Sequence, residues 1–195
     1  DDDIRIGREL LKDAMNEIKK YDLSAINMNC KQPGEKNVFH KIKQWGSFGS
    51  GTSIVKSSFA KKCKFSLIYE NGYGEDMDFG MQLRNLGCDI IYHPNINILH
   101  LKAPIGGFRH KSDLDWANEN PLPKPSPTLM VYALKYFTPF QLKGYKIALF
   151  LKFYKQQSIK NPLNYFRNMN NRWKKSEKWA KILLRNNSYK KDFVN

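Results

Sequence analysis

Cysteine is scarce in this 195-residue chain, and its pattern excludes two structural devices. Cys30, Cys63 and Cys88 are odd in number and show no Cys-x-x-Cys spacing. Neither a disulfide framework nor a zinc site is indicated, and a reducing compartment is expected. Long apolar runs are lacking too: no uncharged stretch approaches the roughly 20 residues that a membrane span needs. The opening Asp1-Asp2-Asp3 has none of the basic-then-apolar character of a secretory leader, and with no initiator Met it reads as the start of a fragment or a processed chain. Internal repeats and low-complexity tracts are absent. Acidic residues are almost missing from one region. Residues 121–195 hold 16 Lys and Arg against 2 Asp and Glu, whereas residues 1–120 hold 17 against 16. Nearly all of the net charge of +15 therefore lies in the C-terminal segment. That segment calls for a polyanionic partner, phospholipid or nucleic acid, and the first 120 residues call for none.

The length suffices for one compact domain with a core, plus appended structure. Ile4 and Ile6 read as a short strand, and Leu10, Leu11, Ala14, Met15 and Ile18 recur at helical spacing over Glu9 to Lys20. Leu23 to Asn29 reads as a strand, Pro33-Gly34 as a turn, and Gly46 to Gly51 as a flexible loop. That loop leads into Thr52 to Lys56, and a short helix is expected near Ser57 to Lys62. Asn71-Gly72-Tyr73-Gly74 is a second glycine loop delivering Glu75-Asp76 to a helix whose inner face is Met77 or Phe79, Leu83 and Leu86, with Gly87 as its stop. Two strands broken at Pro94 are expected over Cys88 to Tyr92 and Asn95 to His100. Alternating strands and helices of this kind predict an α/β domain over 1–117. Residues 118–127, with four prolines in the last seven positions, read as a stiff linker. Residues 128–195 read as a helical, basic, aromatic-rich extension.

Three groups of residues carry candidate chemistry. Asp1 and Asp3, one residue apart in extended backbone, point the same way and suit an oxygen-loving cation, although a solvated acidic terminus looks the same. Glu75-Asp76 stands at an exposed helix start, where a carboxylate can serve as general base; favourable placement in the helix dipole is the plain alternative, and it is the one that suits Asp78. His100 ends a strand and would make a third ligand for Mn²⁺, although a lone histidine there is more often merely hydrogen-bonded. His93 and His110 compete for that role.

The order and spacing of these groups over residues 1–110 resemble those of the family 2 inverting glycosyltransferases of GT-A fold. Asp1-Asp2-Asp3-Ile4 is similar to the family's Asp-x-Asp motif. Asn71-Gly-Tyr-Gly-Glu-Asp-Met-Asp-Phe79 is similar to its Gly-x-Gly-Glu-Asp-x-Asp segment and to the β-1,4-galactosyltransferase signature, with Tyr73 at the aromatic position. The resemblance implies that Asp1, Asp3 and His100 hold Mn²⁺ or Mg²⁺ on the donor diphosphate, with Asp2 beside them. It implies that Asp76 deprotonates the acceptor hydroxyl and Glu75 holds the acceptor sugar. Gly49, Ser50, Gly51 and Thr52, with Tyr73 and Gly74, would line the donor and acceptor subsites, and Arg109 would close over the pyrophosphate. A dication that neutralises the departing diphosphate and a base on the opposite face are what direct displacement requires. The chain departs from the family in lacking the N-terminal, Rossmann-like nucleotide-binding half, so it is expected to be a partial GT-A domain that binds donor poorly alone.

In the extension, Pro139 to Lys155 mixes Phe140, Leu142, Ile147, Leu149, Phe150, Leu151 and Phe153 with four lysines. An interfacial helix is expected there, with aromatics at headgroup level and lysines toward anionic lipid; a helix packed on the protein is the alternative. Nucleic acid is the weakest fit, resting on Trp173 with Lys174-Lys175 and Trp179 with Lys181. The expected partners are thus a nucleotide-sugar donor, a glycan or lipid-linked acceptor, and the cytoplasmic inner face of a bacterial plasma membrane. The rival reading is a non-enzymatic module binding RNA or an anionic surface.

Overall fold

The computed structural model describes residues 4–70, 72–101 and 114–191. The chain forms two compact units, one of Asp1–Phe65 with Asp76–Lys111, the other of Ser66–Glu75 with Ser112–Asn195. The first is mixed α/β, the second helical.

In the first unit the described strands are β1 (Ile4–Ile6), β2 (Ala25–Lys31), β3 (Lys43–Gln44), β4 (Ser53–Val55) and β5 (Ile90–His100). They order as β1-β5-β2-β4, with β3 also on β5. β2 and β5 run parallel, and the remaining pairs are antiparallel. Period-two alternation along the two parallel strands loads both faces of the sheet. Ala25 and Ile90 turn to one face, packing with Phe48, Cys63, Phe79, Leu83 and Cys88. Ile26, Met28, Ile96 and Ile98 turn to the other, packing with Leu10 and Ala14. Helix α1 (Leu10–Lys20) therefore covers one face and α3 (Glu75–Asn85) the other. A short α2 (Ser57–Ala60) follows β4.

The expected break at Pro94 is absent as a break, because β5 continues through it as one strand of 11 residues. The proline is accommodated by a bulge. Met28 pairs with His93, but the next residue, Asn29, pairs with Asn97. Pro94 lacks an N–H for the ladder, so the strand steps out around it. The buried Asn29 clasps the bulge by donating to the Asn97 side chain at 2.8 Å and the Pro94 carbonyl at 3.3 Å, while Tyr92 Oη donates to Asn29 at 2.8 Å. β5 changes edge partners across this point, from β3 at Ile91 and Tyr92 to β1 at Ile98 to His100.

α3 stops as expected. Gly87 takes φ +79° and its N–H donates to Arg84 O at 2.8 Å, while Cys88 N–H reaches Leu83 O at 3.0 Å. Phe79 and Leu83 form the buried side; Leu86, expected there, is instead 41% exposed. Asp78 also differs from the expected solvated first-turn acid. It is buried, and Gln82 Nε2 donates to it at 2.7 Å while the same amide clamps both backbone groups of Lys64.

The helical unit comprises a 3₁₀ turn (Leu67–Tyr69), α4 (Pro127–Tyr136), α5 (Pro139–Tyr154) and α6 (Pro162–Lys191). Each long helix opens with a capping residue followed by proline. Ser126 Oγ accepts from Leu129 N–H at 3.3 Å, Thr138 and Gln141 form a reciprocal capping box, and Asn161 Oδ1 accepts from Asn164 N–H at 3.1 Å. A side-chain oxygen satisfies an orphan donor, and proline costs nothing where no N–H is needed. Four aromatics of the extension, Tyr132, Phe150, Tyr165 and Trp173, are buried. Trp173 is buried with Phe150 at 6.3 Å and Tyr145 at 5.9 Å between ring centroids, and Tyr154 packs edge-on to Tyr165 at 5.0 Å. The stretch read as a linker lies along α6: Arg172 Nε donates to Leu122 O at 2.8 Å, and Lys124 N–H donates to Arg172 O at 3.2 Å. Pro123, Pro125 and Pro127 are buried.

Candidate functional site

In the α/β unit, the start of α3 and the loop before β4 are locked together. Asp76 O accepts from Phe48 N–H at 2.9 Å, and Asp76 Oδ1 accepts from Ser50 N–H at 3.2 Å. The loop read as flexible is thus fixed on the helix that carries the expected base. Two glycines permit the approach. A Cβ on Gly80 would lie 3.0 Å from Phe48 N and 3.2 Å from Ser47 Cα, so only hydrogen fits between α3 and the loop backbone. A Cβ on Gly49 would collide with Thr52 Oγ1 and lie 2.8 Å from the Asn27 amide nitrogen.

Asn27, buried in β2, supports the loop from below. Its amide lies 3.1 Å from Thr52 Oγ1 and 2.7 Å from Ser53 Oγ, and with its oxygen turned toward the loop it also accepts from Gly49 N–H at 3.3 Å. Thr52 N–H closes the turn onto Gly49 O at 2.9 Å. Asp76, Gly49, Ser50 and Thr52 are therefore brought together with Gly51 in the same turn. Asn27 and Gly80 were not singled out in the sequence. The available signal was an Asn-Met-Asn alternation inside an otherwise apolar strand, and a glycine inside an amphipathic helix.

Tyr73, Gly74 and Glu75 group with the helical unit. Tyr73 N–H donates to the buried Thr128 Oγ1 at 3.0 Å, and a Cβ on Gly72 would strike that threonine side chain at 2.5 Å. Gly74 takes φ +121° with the Tyr69 ring 3.1 Å from the position a Cβ would occupy. The glycines of this motif thus have a packing reason, a close fit to Tyr69 and the start of α4. The Tyr73 ring is 72% exposed. Glu75 Oε2 is shielded from solvent and has no hydrogen-bond partner among the described residues.

His100 occupies the carboxyl end of β5, where ligands of open α/β sheets gather. It is registered opposite Ile4, the residue that follows Asp3 in the chain. Asp1, Asp2, Asp3 and Arg109 lie outside the described residues, as does His110. His93 is set apart from this end, buried at the bulge with Nε2 3.4 Å from Glu17. Among the described residues no group of three His, Cys, Asp or Glu side chains could hold a metal ion.

Against protein-family models, curated proteins and solved structures, the chain gives no match.

Proposed function

We propose that the chain is a nucleotide-sugar-dependent glycosyltransferase of GT-A type, acting by single displacement with inversion, with Asp76 as general base. The observation that carries this reading is the Ser50 N–H to Asp76 Oδ1 hydrogen bond, which joins two segments 26 residues apart that the resemblance assigns to one sugar. With one carboxylate oxygen held and the helix start fixed by Phe48, the group is oriented before substrate arrives, which lowers the cost of reaching the reactive geometry. The acceptor hydroxyl gives its proton to Asp76 as its oxygen bonds the anomeric carbon. The sugar–phosphate bond breaks and its electron pair leaves with the diphosphate. The resemblance assigns to Glu75 the holding of the acceptor. A Mn²⁺ or Mg²⁺ ion held by Asp1, Asp3 and His100 would supply neutralisation of the leaving diphosphate. Support for that ligand set is the register of Ile4 opposite His100.

Contact with an anionic membrane at the cytoplasmic inner face accompanies this reading. Among the described residues no helix is long and apolar enough to cross a membrane. α5 instead presents Phe140 (85% exposed), Ile147 and Leu151 along one stripe, beside exposed Lys143, Lys152 and Lys155. This matches an interfacial helix in a segment whose net charge is +14. Of the two stacking residues of the non-enzymatic RNA-binding alternative, Trp173 is buried with Nε1 on Glu177 at 2.7 Å, while Trp179 is half-buried with Nε1 on Glu119 at 2.8 Å.

The test is release of nucleoside diphosphate from nucleotide sugars by the full-length gene product with Mn²⁺, wild type against Asp76→Asn. Turnover is expected to fall by about 10²–10⁴-fold, the scale of general-base catalysis. Equal activity removes Asp76 as the base. Absence of transfer from any donor, with vesicle binding intact, favours the non-enzymatic alternative.

A further inference from the structure

Within the helical unit a groove of about 760 Å³ runs along α6, between Asn164, Arg167, Asn168, Asn171 and Lys174 on the helix and Asn120 at the opposite wall. Among the described residues its lining contains no carboxylate and no aromatic ring. Asn164, Asn168 and Asn171 follow one another at three- and four-residue spacing, as do Arg167, Asn171 and Lys174, so the helix presents them as one continuous strip. Each amide offers both donors and an acceptor, the pairing that vicinal hydroxyls need. Asn168 Oδ1 is shielded and has no partner among the described residues.

The walls are clamped without any ligand. Lys175 Nζ donates to Asn120 O at 2.7 Å and pairs with Glu119 at 2.7 Å, and Arg172 Nε ties the following Leu122 O to the same helix at 2.8 Å. A groove held open in this way binds without a large ordering cost. We propose that it is a binding site for an acidic oligosaccharide, with the asparagines on its hydroxyls and Arg167 and Lys174 on its anionic groups. The two cations stand seven residues apart, about 10 Å along the helix at ~1.5 Å per residue, so they address separate acidic groups of one chain. Single-stranded nucleic acid is the poorer fit because no ring among the described lining residues offers a stacking platform. The site is independent of the catalytic reading, and either can fail alone.

Calorimetric titration of the full chain with a galacturonate hexamer tests it, with maltohexaose and a hexauridylate as the other arms. The acidic hexamer is expected to bind at least about tenfold more tightly than maltohexaose. Asn168→Leu and the exposed-site Asn171→Ala, which change no charge, are each expected to weaken the acidic hexamer by about tenfold. Circular dichroism checks that the helices persist, and Asn171→Ala keeps the test valid should Asn168→Leu unfold. Unchanged binding by both variants overturns the proposal, because simple attraction to a chain of +15 then explains it. Absence of binding by the wild type overturns it as well. Tighter binding of the hexauridylate, lost in the same variants, reassigns the groove to nucleic acid.

Discussion

Gly80 is the residue on which the approach of α3 to the Gly46–Gly51 loop turns, since the atoms it meets are backbone and cannot swing aside. Gly80→Ala is expected to cost about 1–3 kcal/mol, as overpacking does, and to loosen the Ser50–Asp76 bond. A urea melt reads the first effect, and exchange of the Phe48 and Ser50 amide protons reads the second; unchanged protection would contradict it. The cysteines make an equally local prediction. Burial pushes the Cys63 and Cys88 thiols above their ordinary range, with the Asp89 charge adding to the effect on Cys88. Raised values leave less thiolate at neutral pH, so both should resist a thiol reagent until pH climbs well past about 8.5 or the fold opens. Cys30 is exposed. One fast thiol and two slow ones are the expected count, and three fast ones would mean the unit is not packed as described.

Among the elements, the helices of the second unit were legible because their start signals are local. Ser126-Pro127, Thr138-Pro139 and Asn161-Pro162 each place an oxygen acceptor before a residue with no N–H to satisfy. Strand β5 was read as two because Pro94 ordinarily ends a strand. What carries the strand through is Asn29, some 65 residues away, and no local rule reports it. Helix α5 divides the aromatics that composition alone could not sort, with Phe150 buried and Phe140 at the surface. Replacing Phe140, Ile147 and Leu151 together by serine leaves the charge unchanged. It is expected to abolish co-sedimentation with anionic vesicles, whereas retention would show that lysines alone suffice.

For the molecule as a whole, charge asymmetry shapes the response to acid. The helical unit has few carboxylates, and Glu119 is bound by Lys175 Nζ at 2.7 Å and Trp179 Nε1 at 2.8 Å. Its hydrogen bonds to Lys175 and then Trp179 hold it below the ordinary carboxylate range. A folded-state value below the unfolded one means stabilisation that is full above the unfolded value and lost as pH falls through the folded one. Urea titrations should therefore show wild type more stable than Glu119→Gln at neutral pH, with the gap closing below about pH 4.3. A gap that stays constant to low pH would show that the ion pair contributes nothing.

By itself the sequence determined the α/β character of the first unit, the helical character of the second and the uneven charge, because periodicity, capping and composition are properties of neighbouring residues. It also marked Asp76 and the Gly49 to Thr52 segment as candidates. Only the tertiary structure decided that these two meet, that Asn27 and Gly80 make the meeting fit, that Asp78 is buried, and that Tyr73 and Gly74 seat on Thr128 and Tyr69. Those outcomes depend on which backbone a side chain meets across tens of residues, and that is set by sheet register and close packing, which no window along the chain contains.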